Sequence, residues 1–352
     1  MNIQAASIHR CIISRGLTQL IIVISVAVAL LFAPLIVQAA DRNQEMRKFA
    51  KFMQTNHKLD AQEVMQHLSN AKFQAQVLRI MQNTPEQKVS WLDYKERFIN
   101  TQHIRNGKKF IKRNQDVLHR AYQEYGVPPE IITAIIGVET NYGQLYGTFR
   151  TLDVLTTIAF SDFRRAEFFR QELEEFLLLA SEQQKNPFDY ISSYAGAMGY
   201  GQFLPSSYRN YGVNFDEEGE VDLTNSIVDA IGSIGNYLQA FGWERDVPVM
   251  LAAQYKEDRV DRSASKTNGI KFNSSLKPHT NIRRSAIRYG LIPINSLTTQ
   301  SWRPADKVTL LKFDNEEPEL WMGLNNYYVL SRYNPSHKYV MALYLLSRAV
   351  AS

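Results

Sequence analysis

The sequence has 352 residues, 45 % of them hydrophobic and 11 % aromatic, with one cysteine and a formal charge of +5 from 40 Lys+Arg against 35 Asp+Glu. That is enough chain for two or three domains with a sizeable core, and the composition excludes a collagen, a coiled coil, a disordered tail and a disulfide scaffold. A positive excess this diffuse does not point to nucleic acid as a partner.

Arg10 and Arg15 are the only Lys or Arg before Arg42, and an uncharged run follows them from Gly16 to Ala40. Its apolar heart is Leu20 to Phe32, followed by Pro34 and the small residues Ala39 and Ala40. This order is that of a secretory leader over residues 1–40, cleaved on export to the periplasm. An uncleaved inner-membrane anchor is the competing reading, because the run could just span a bilayer. Cys11 precedes the apolar run, whereas a lipid-bearing cysteine would follow it, so no lipoprotein is expected. Without the leader the chain has no cysteine and a charge of +3, which removes any zinc-thiolate site or cysteine nucleophile.

Residues 41–126 read as a helical N-terminal domain. Apolar residues recur every three to four positions from Met46 to Met53 and again at Val64, Leu68 and Ala71. Thr84-Pro85-Glu86 is a helix start signal, and a second long pattern runs through Phe110, Val117, Leu118 and Tyr122 until Gly126 stops it. Pro128-Pro129 opens the next helix. Residues 127–244 alternate apolar helical runs with Gly- and Tyr-rich turns. In 245–325 the texture changes to a small β-containing domain, with an exposed polar loop from Ser263 to Pro278. Val308 to Phe313 and Tyr327 to Leu330 read as short strands. The segment 326–352 returns to the core, helical from Tyr339 to Ala351. No internal repeat is present.

The chemistry concentrates in two places. In Pro129 to Gly143, Ile132, Ile135, Ile136 and Glu139 share one helical face. A carboxyl on a stripe of buried isoleucines is expected to have a raised pKa, as a general acid near neutral pH requires. Its structural counterpart is a helix-end carboxylate paired with an arginine. The second place is Ser192 to Tyr208. Gly196, Gly199 and Gly201 allow close backbone approach, surrounded by hydroxyls, an amide and rings. That mixture suits carbohydrate, though a glycine-tolerant structural turn has the same composition.

The blocks Gly137-Val-Glu-Thr-Asn-Tyr-Gly143 and Ala195-Gly-Ala-Met-Gly-Tyr-Gly-Gln-Phe-Leu-Pro-Ser-Ser207 resemble the lytic murein transglycosylase B family. Phe163 to Glu167, Val228 to Ser233, Ile234 to Tyr237 and Val329 to Asn334 agree, and the similarity spans about residues 45–350. The resemblance implies a mainly α, α+β architecture, with a lysozyme-like helical catalytic core, a helical N-terminal domain and a small β-containing domain. It implies a monomer that cleaves the MurNAc-β-1,4-GlcNAc bond of peptidoglycan glycan strands and leaves 1,6-anhydro-muramic ends. Glu139 matches the family's single acid/base. Ser193 and Asn334 match polar residues beside the reacting sugar, and Gln202 matches a glycan-binding amide. Tyr94, Met198, Tyr200, Phe203, Tyr237, Tyr333 and Tyr339 match the cleft lining. Arg164 and Arg165 match basic residues for the peptide stem or the lactyl carboxylate. No cofactor is required, and cell-wall synthases or amidases are the protein partners expected.

Asn214, Asp216, Glu218, Glu220 and Asn225 fall in a loop with EF-hand spacing, with Gly219 at the sharp turn. Asn225 stands where a bidentate Glu belongs, so the loop is a candidate weak structural calcium site or an acidic surface turn. Two other functions stay open. A hydrolytic muramidase would need a second carboxylate, with Asp153, Asp162 or Asp189 as candidates. A non-catalytic peptidoglycan-binding scaffold would have no need of Glu139.

Overall fold

The computed structural model describes residues 41–83, 89–256, 270–294, 302–314 and 316–352. The expected leader with Cys11, the Thr84 start signal and the first half of the 263–278 loop lie outside the described residues. The half of that loop inside them is turns and bends.

Short helices with side-chain caps fill the N-terminal third. They are α1 (41–57), α2 (Ala61–Asn70), α3 (Ala75–Gln82), α4 (Trp91–Phe98), α5 (Thr101–Arg113) and α6 (Gln115–Tyr125). Asp60, Ser90 and Asn100 accept hydrogen bonds from first-turn amides of α2, α4 and α5, satisfying donors that a helix start leaves over. The single long helix expected through Phe110 and Tyr122 breaks at Asn114. Its backbone and side-chain N–H groups both turn back to the Phe110 carbonyl, closing α5 before α6 begins. Gly126 ends α6 in the left-handed conformation at φ 72°, and α7 (Pro129–Thr140) starts with Pro129 in its first turn.

Helix α7 is the axis of the molecule. Ile131 to Gly137 are all buried, so the helix is enclosed on every side rather than along one stripe. It packs against α5, α6, α11 (Ile227–Ala240) and α14 (His337–Ala351), while α8 (Thr151–Ala159) packs on α9 (Ala166–Glu182), α10 (Pro205–Tyr211) on α9 and α11, and α13 (Asn325–Tyr333) on α14. A two-stranded antiparallel ribbon, β1 (Phe149–Arg150) against β2 (Ile191–Ser192), leads into the Gly-rich segment.

The β-containing region is a five-stranded antiparallel sheet in the order β4-β6-β7-β3-β5, with α12 (Ile282–Tyr289) packed on it. Its strands are β3 (Met250–Tyr255), β4 (Thr280–Asn281), β5 (Leu291–Pro293), β6 (Lys307–Lys312) and β7 (Leu320–Gly323). Leu251, Leu310 and Met322 point into a small local core with Ile282, while Met250, Ala252, Leu311 and Trp321 face the helical core. Both faces are therefore covered, which is why β3 and β6 read as continuous apolar runs.

Tyr327 to Leu330, expected as a strand, instead forms the middle of helix α13. Tyr327, Val329 and Leu330 are fully buried there, and the Asn326 side chain bonds Glu244 and Val247. A short apolar run does not distinguish a strand from a buried helical segment, and here packing outweighs the β preference of Tyr and Val.

Candidate active site

Glu139 is the penultimate residue of α7, where the helix emerges from the core, and it is only partly buried. Three consecutive residues with positive φ (Asn141, Tyr142 and Gly143) then reverse the chain. The turn is anchored at both ends. Tyr142 packs its ring against His103 and Phe110 of α5, with centroids 5.0 and 5.8 Å away. Thr140 accepts a hydrogen bond from Gly143 N–H, and its hydroxyl lies 3.1 Å from the Tyr200 carbonyl. Gly143 has φ 84°, and a Cβ there would sit 2.3 Å from the Tyr200 ring. The glycine thus lets the acid's helix end lie directly against the Gly-rich segment.

The Glu139 carboxylate receives a 2.8 Å hydrogen bond from the Tyr339 hydroxyl, which comes from the first turn of α14. Burial pushes the Tyr339 and Tyr333 phenols well above their ordinary range, and the nearby Glu139 charge pushes the same way. Tyr339 therefore keeps its proton throughout the neutral range and donates its hydrogen bond to Glu139. Tyr94, buried on α4, is close enough to Tyr339 to act on it electrostatically. Tyr339→Phe is expected to lower kcat about tenfold while leaving KM within about threefold, because a group that orients the acid acts on the reacting state. Steady-state kinetics on a soluble muropeptide oligomer checks this, and an unchanged kcat would remove Tyr339 from the machinery.

The Gly-rich segment forms the facing wall. Met198 and Phe203 exchange two 2.9 Å backbone hydrogen bonds across a tight loop. Gly199, at φ 71°, could not carry a Cβ, which would lie 2.1 Å from the Leu223 carbonyl. Gln202 takes φ 51°, and its side-chain amide donates to the Gly199 carbonyl. The Tyr333 hydroxyl donates to the Gly201 carbonyl and that of Tyr237 to the Arg332 carbonyl. Rings of Phe203, Tyr237 and Tyr333 meet at centroid distances of 5.0–5.8 Å. Met198, Phe203, Tyr237, Tyr339 and Tyr94 are mostly buried, so they build the floor rather than project from it. Tyr200 is half-buried against Tyr146, edge to face at 5.1 Å. Ser193 Oγ accepts from the amides of Ala195 and Ala197. Asn334 caps α13 and is half-buried.

The two arginines belong to a different helix start. Arg164 and Arg165 are exposed at the start of α9, and the Arg165 guanidinium lies over Phe168 at 4.4 Å. Asp153 is buried in an ion pair with Arg150 and also accepts from Lys72 N–H. Asp162 and Asp189 are exposed. Three positions escaped the sequence reading: Thr140, Tyr146 and Asp229. Of these, only Thr140 carried a signal, through its place beside Glu139.

The side chains of the acidic loop bond within the loop. Asp216 accepts from Ser226 Oγ and Glu218 N–H, and Asn214 donates to the Gly219 carbonyl. Asn225 donates to Asp222, while Glu218 and Glu220 are exposed. Among the described residues no three His, Cys, Asp or Glu are grouped to hold a metal. With Asp216 and Asp222 already accepting hydrogen bonds within the loop, a calcium ion would have to displace some of these contacts. Millimolar calcium or a chelator is accordingly expected to leave the melting temperature within about 1 °C, since only a ligand of the folded state raises it. A calorimetric shift of several degrees would show that the loop rearranges around the ion.

Comparison with known proteins agrees with this geometry. Residues 41–348 match the family model described as a transglycosylase SLT domain. The chain is 39 % identical over 319 residues to membrane-bound lytic murein transglycosylase B of Escherichia coli, covering 88 % of this chain and 83 % of the relative. Soluble lytic transglycosylase SltB1 of Pseudomonas aeruginosa superposes with a TM-score of 0.78 at 35 % identity, over 87 % of this chain and 98 % of that one. The Escherichia coli lytic transglycosylase Slt35, solved in complex with calcium, gives 0.75 at 39 % identity, over 88 % and 92 % of the two chains. The chain therefore belongs to the transglycosylase SLT-domain family, among the lytic murein transglycosylases.

Proposed function

We propose that this peptidoglycan lytic transglycosylase works with Glu139 as its single acid/base, cleaving the MurNAc-β-1,4-GlcNAc bond without water. Glu139 gives its proton to the glycosidic oxygen as the bond to C1 breaks. It then takes the proton of the muramyl 6-hydroxyl as that oxygen attacks C1, closing the 1,6-anhydro ring. The proton count balances, and the nucleophile belongs to the substrate, so one carboxylate suffices where ordinary glycosidases use two. The observation that carries this reading is the 2.8 Å hydrogen bond from the Tyr339 hydroxyl to the Glu139 carboxylate, at the helix end that meets the Gly-rich wall through Thr140. Asp153, the buried candidate for a second carboxylate, is committed to Arg150 and Lys72. Ser193, Gln202 and Asn334 would meet sugar polar groups, and Tyr200 a sugar face. Arg164 and Arg165 would serve the anionic stem peptide at the margin. No cofactor enters the reaction.

We also place the protein in the periplasm after loss of residues 1–40, acting as a monomer with cell-wall synthases or amidases as its protein partners. Among the described residues no helix is long and apolar enough to cross a membrane. Mass analysis of fragments released from purified murein tests the reaction. Anhydro-muropeptides are expected, one water lighter than hydrolysed ones, and reducing muramic ends would overturn the proposal in favour of hydrolysis.

A further inference from the structure

A groove with a volume of about 580 Å³ runs between α2 and the C-terminal end of α9, on elements other than α7 and α14, which carry Glu139 and Tyr339. Its volume lies within the range of about 300–1,000 Å³ typical of small-molecule sites. The floor is apolar, with Val64, Leu177 and Pro187 buried. Four primary amides (Gln66, Asn70, Gln184 and Asn186) line the walls. At one end His67 and Phe188 meet edge to face at 5.8 Å. The charged lining consists of one acid, Glu63, and one exposed base, Lys185, besides the His67 imidazole. Amides that both donate and accept, ring surface for C–H faces and balanced charge suit a neutral sugar chain better than an anion or a lipid.

We infer that this groove is a second glycan-binding site, taking an N-acetylated amino-sugar stretch of the strand outside the catalytic cleft. The inference rests on the proposed peptidoglycan substrate. The groove also connects to the cleft wall. Phe188 lies three residues before β2, whose end leads into Ser193, and the Arg150 guanidinium of the partner strand β1 sits 5.3 Å from the Phe188 ring. A strand held in the groove would raise the local concentration of glycan at the cleft, a gain that matters for an insoluble polymer and not for a short fragment.

The test uses the mature chain with Asn70→Ala and Gln184→Ala, both exposed and outside the catalytic machinery. In the Glu139→Gln background, co-sedimentation with purified sacculi is expected to show affinity lowered about fivefold to thirtyfold by loss of two sugar hydrogen bonds. In the active background, turnover of a soluble tetrasaccharide muropeptide is expected to stay within about twofold. Hydrogen exchange with tetra-N-acetyl-chitotetraose is expected to slow in 59–70 and 177–188. Unchanged sacculus affinity, or no protection of these segments, would overturn the second site. Failure of the wild-type protein to release anhydro-muropeptides would instead overturn the proposed reaction, and the binding assays would still decide the groove.

Discussion

Glu139→Gln is expected to lower lysis of purified sacculi by about 10²–10⁴-fold, the range that one positioned acid/base contributes. The amide keeps the shape of the carboxylate and an oxygen for the Tyr339 hydroxyl, so the 2.8 Å contact from α14 can persist. What it loses is the exchangeable proton that both steps use. Because Glu139 is only partly buried at a helix end, folding stability should change little, and co-sedimentation with murein should be retained. Turbidity loss of a sacculus suspension and mass analysis of its supernatant give the rate and the product together. A variant that lyses within about tenfold of wild type would remove Glu139 from the chemistry, since another group would then be supplying the proton. Comparison with Tyr339→Phe separates the roles: loss of the acid is expected to lower turnover about 10²–10⁴-fold, whereas loss of its orienting partner is expected to lower it only about tenfold.

The parts of this site that were legible in the sequence are those whose physics is local. Gly126 and Pro129 mark the ends of two helices because left-handed and fixed-φ positions have few tenants. Glu139 stood out because a carboxyl among isoleucines is unusual whatever surrounds it. The mainly helical class was legible in local apolar periodicity, whereas the lysozyme-like core was implied by the family resemblance of blocks spread from Gly137 to Asn334. What could not be read was long-range. Tyr339 meets Glu139 across 200 positions, and nothing near either residue announces the pair. Helix α13 looked like a strand because its run Tyr327 to Leu330 is too short to show a period, and only its burial against α14 decides the matter. The acidic loop shows a different limit of sequence reading. Its spacing resembles a cation loop, yet the oxygens at Asp216 and Asp222 are taken by the loop's own hydroxyl and amide donors. Spacing records where ligands fall along the chain, not where their lone pairs point.

That loop is held instead by a residue whose side chain has no access to solvent. Asp229, fully buried in the first turn of α11, accepts Phe215 and Asp216 N–H on one oxygen and Asp222 N–H on the other, at 2.7–3.1 Å. Three backbone donors converge on a carboxylate from inside the protein, where no water can replace it. Asp229→Ala is therefore expected to cost about 3–5 kcal/mol, the range for deleting one side of a buried charged network. Asp229→Asn should fall between alanine and wild type, at about 1–3 kcal/mol, because an amide offers one oxygen and sets an N–H against at least one of the donors. The damage should also reach the cleft. The Leu223 carbonyl accepts Tyr200 N–H and packs against Gly199, so freeing the loop loosens the wall facing Glu139. Urea denaturation should show the order wild type, Asn, Ala, and amide exchange should quicken first over 213–226. If both variants unfold within about 0.5 kcal/mol of wild type, the loop holds its shape without Asp229, and a further anchor for the Gly-rich wall must exist.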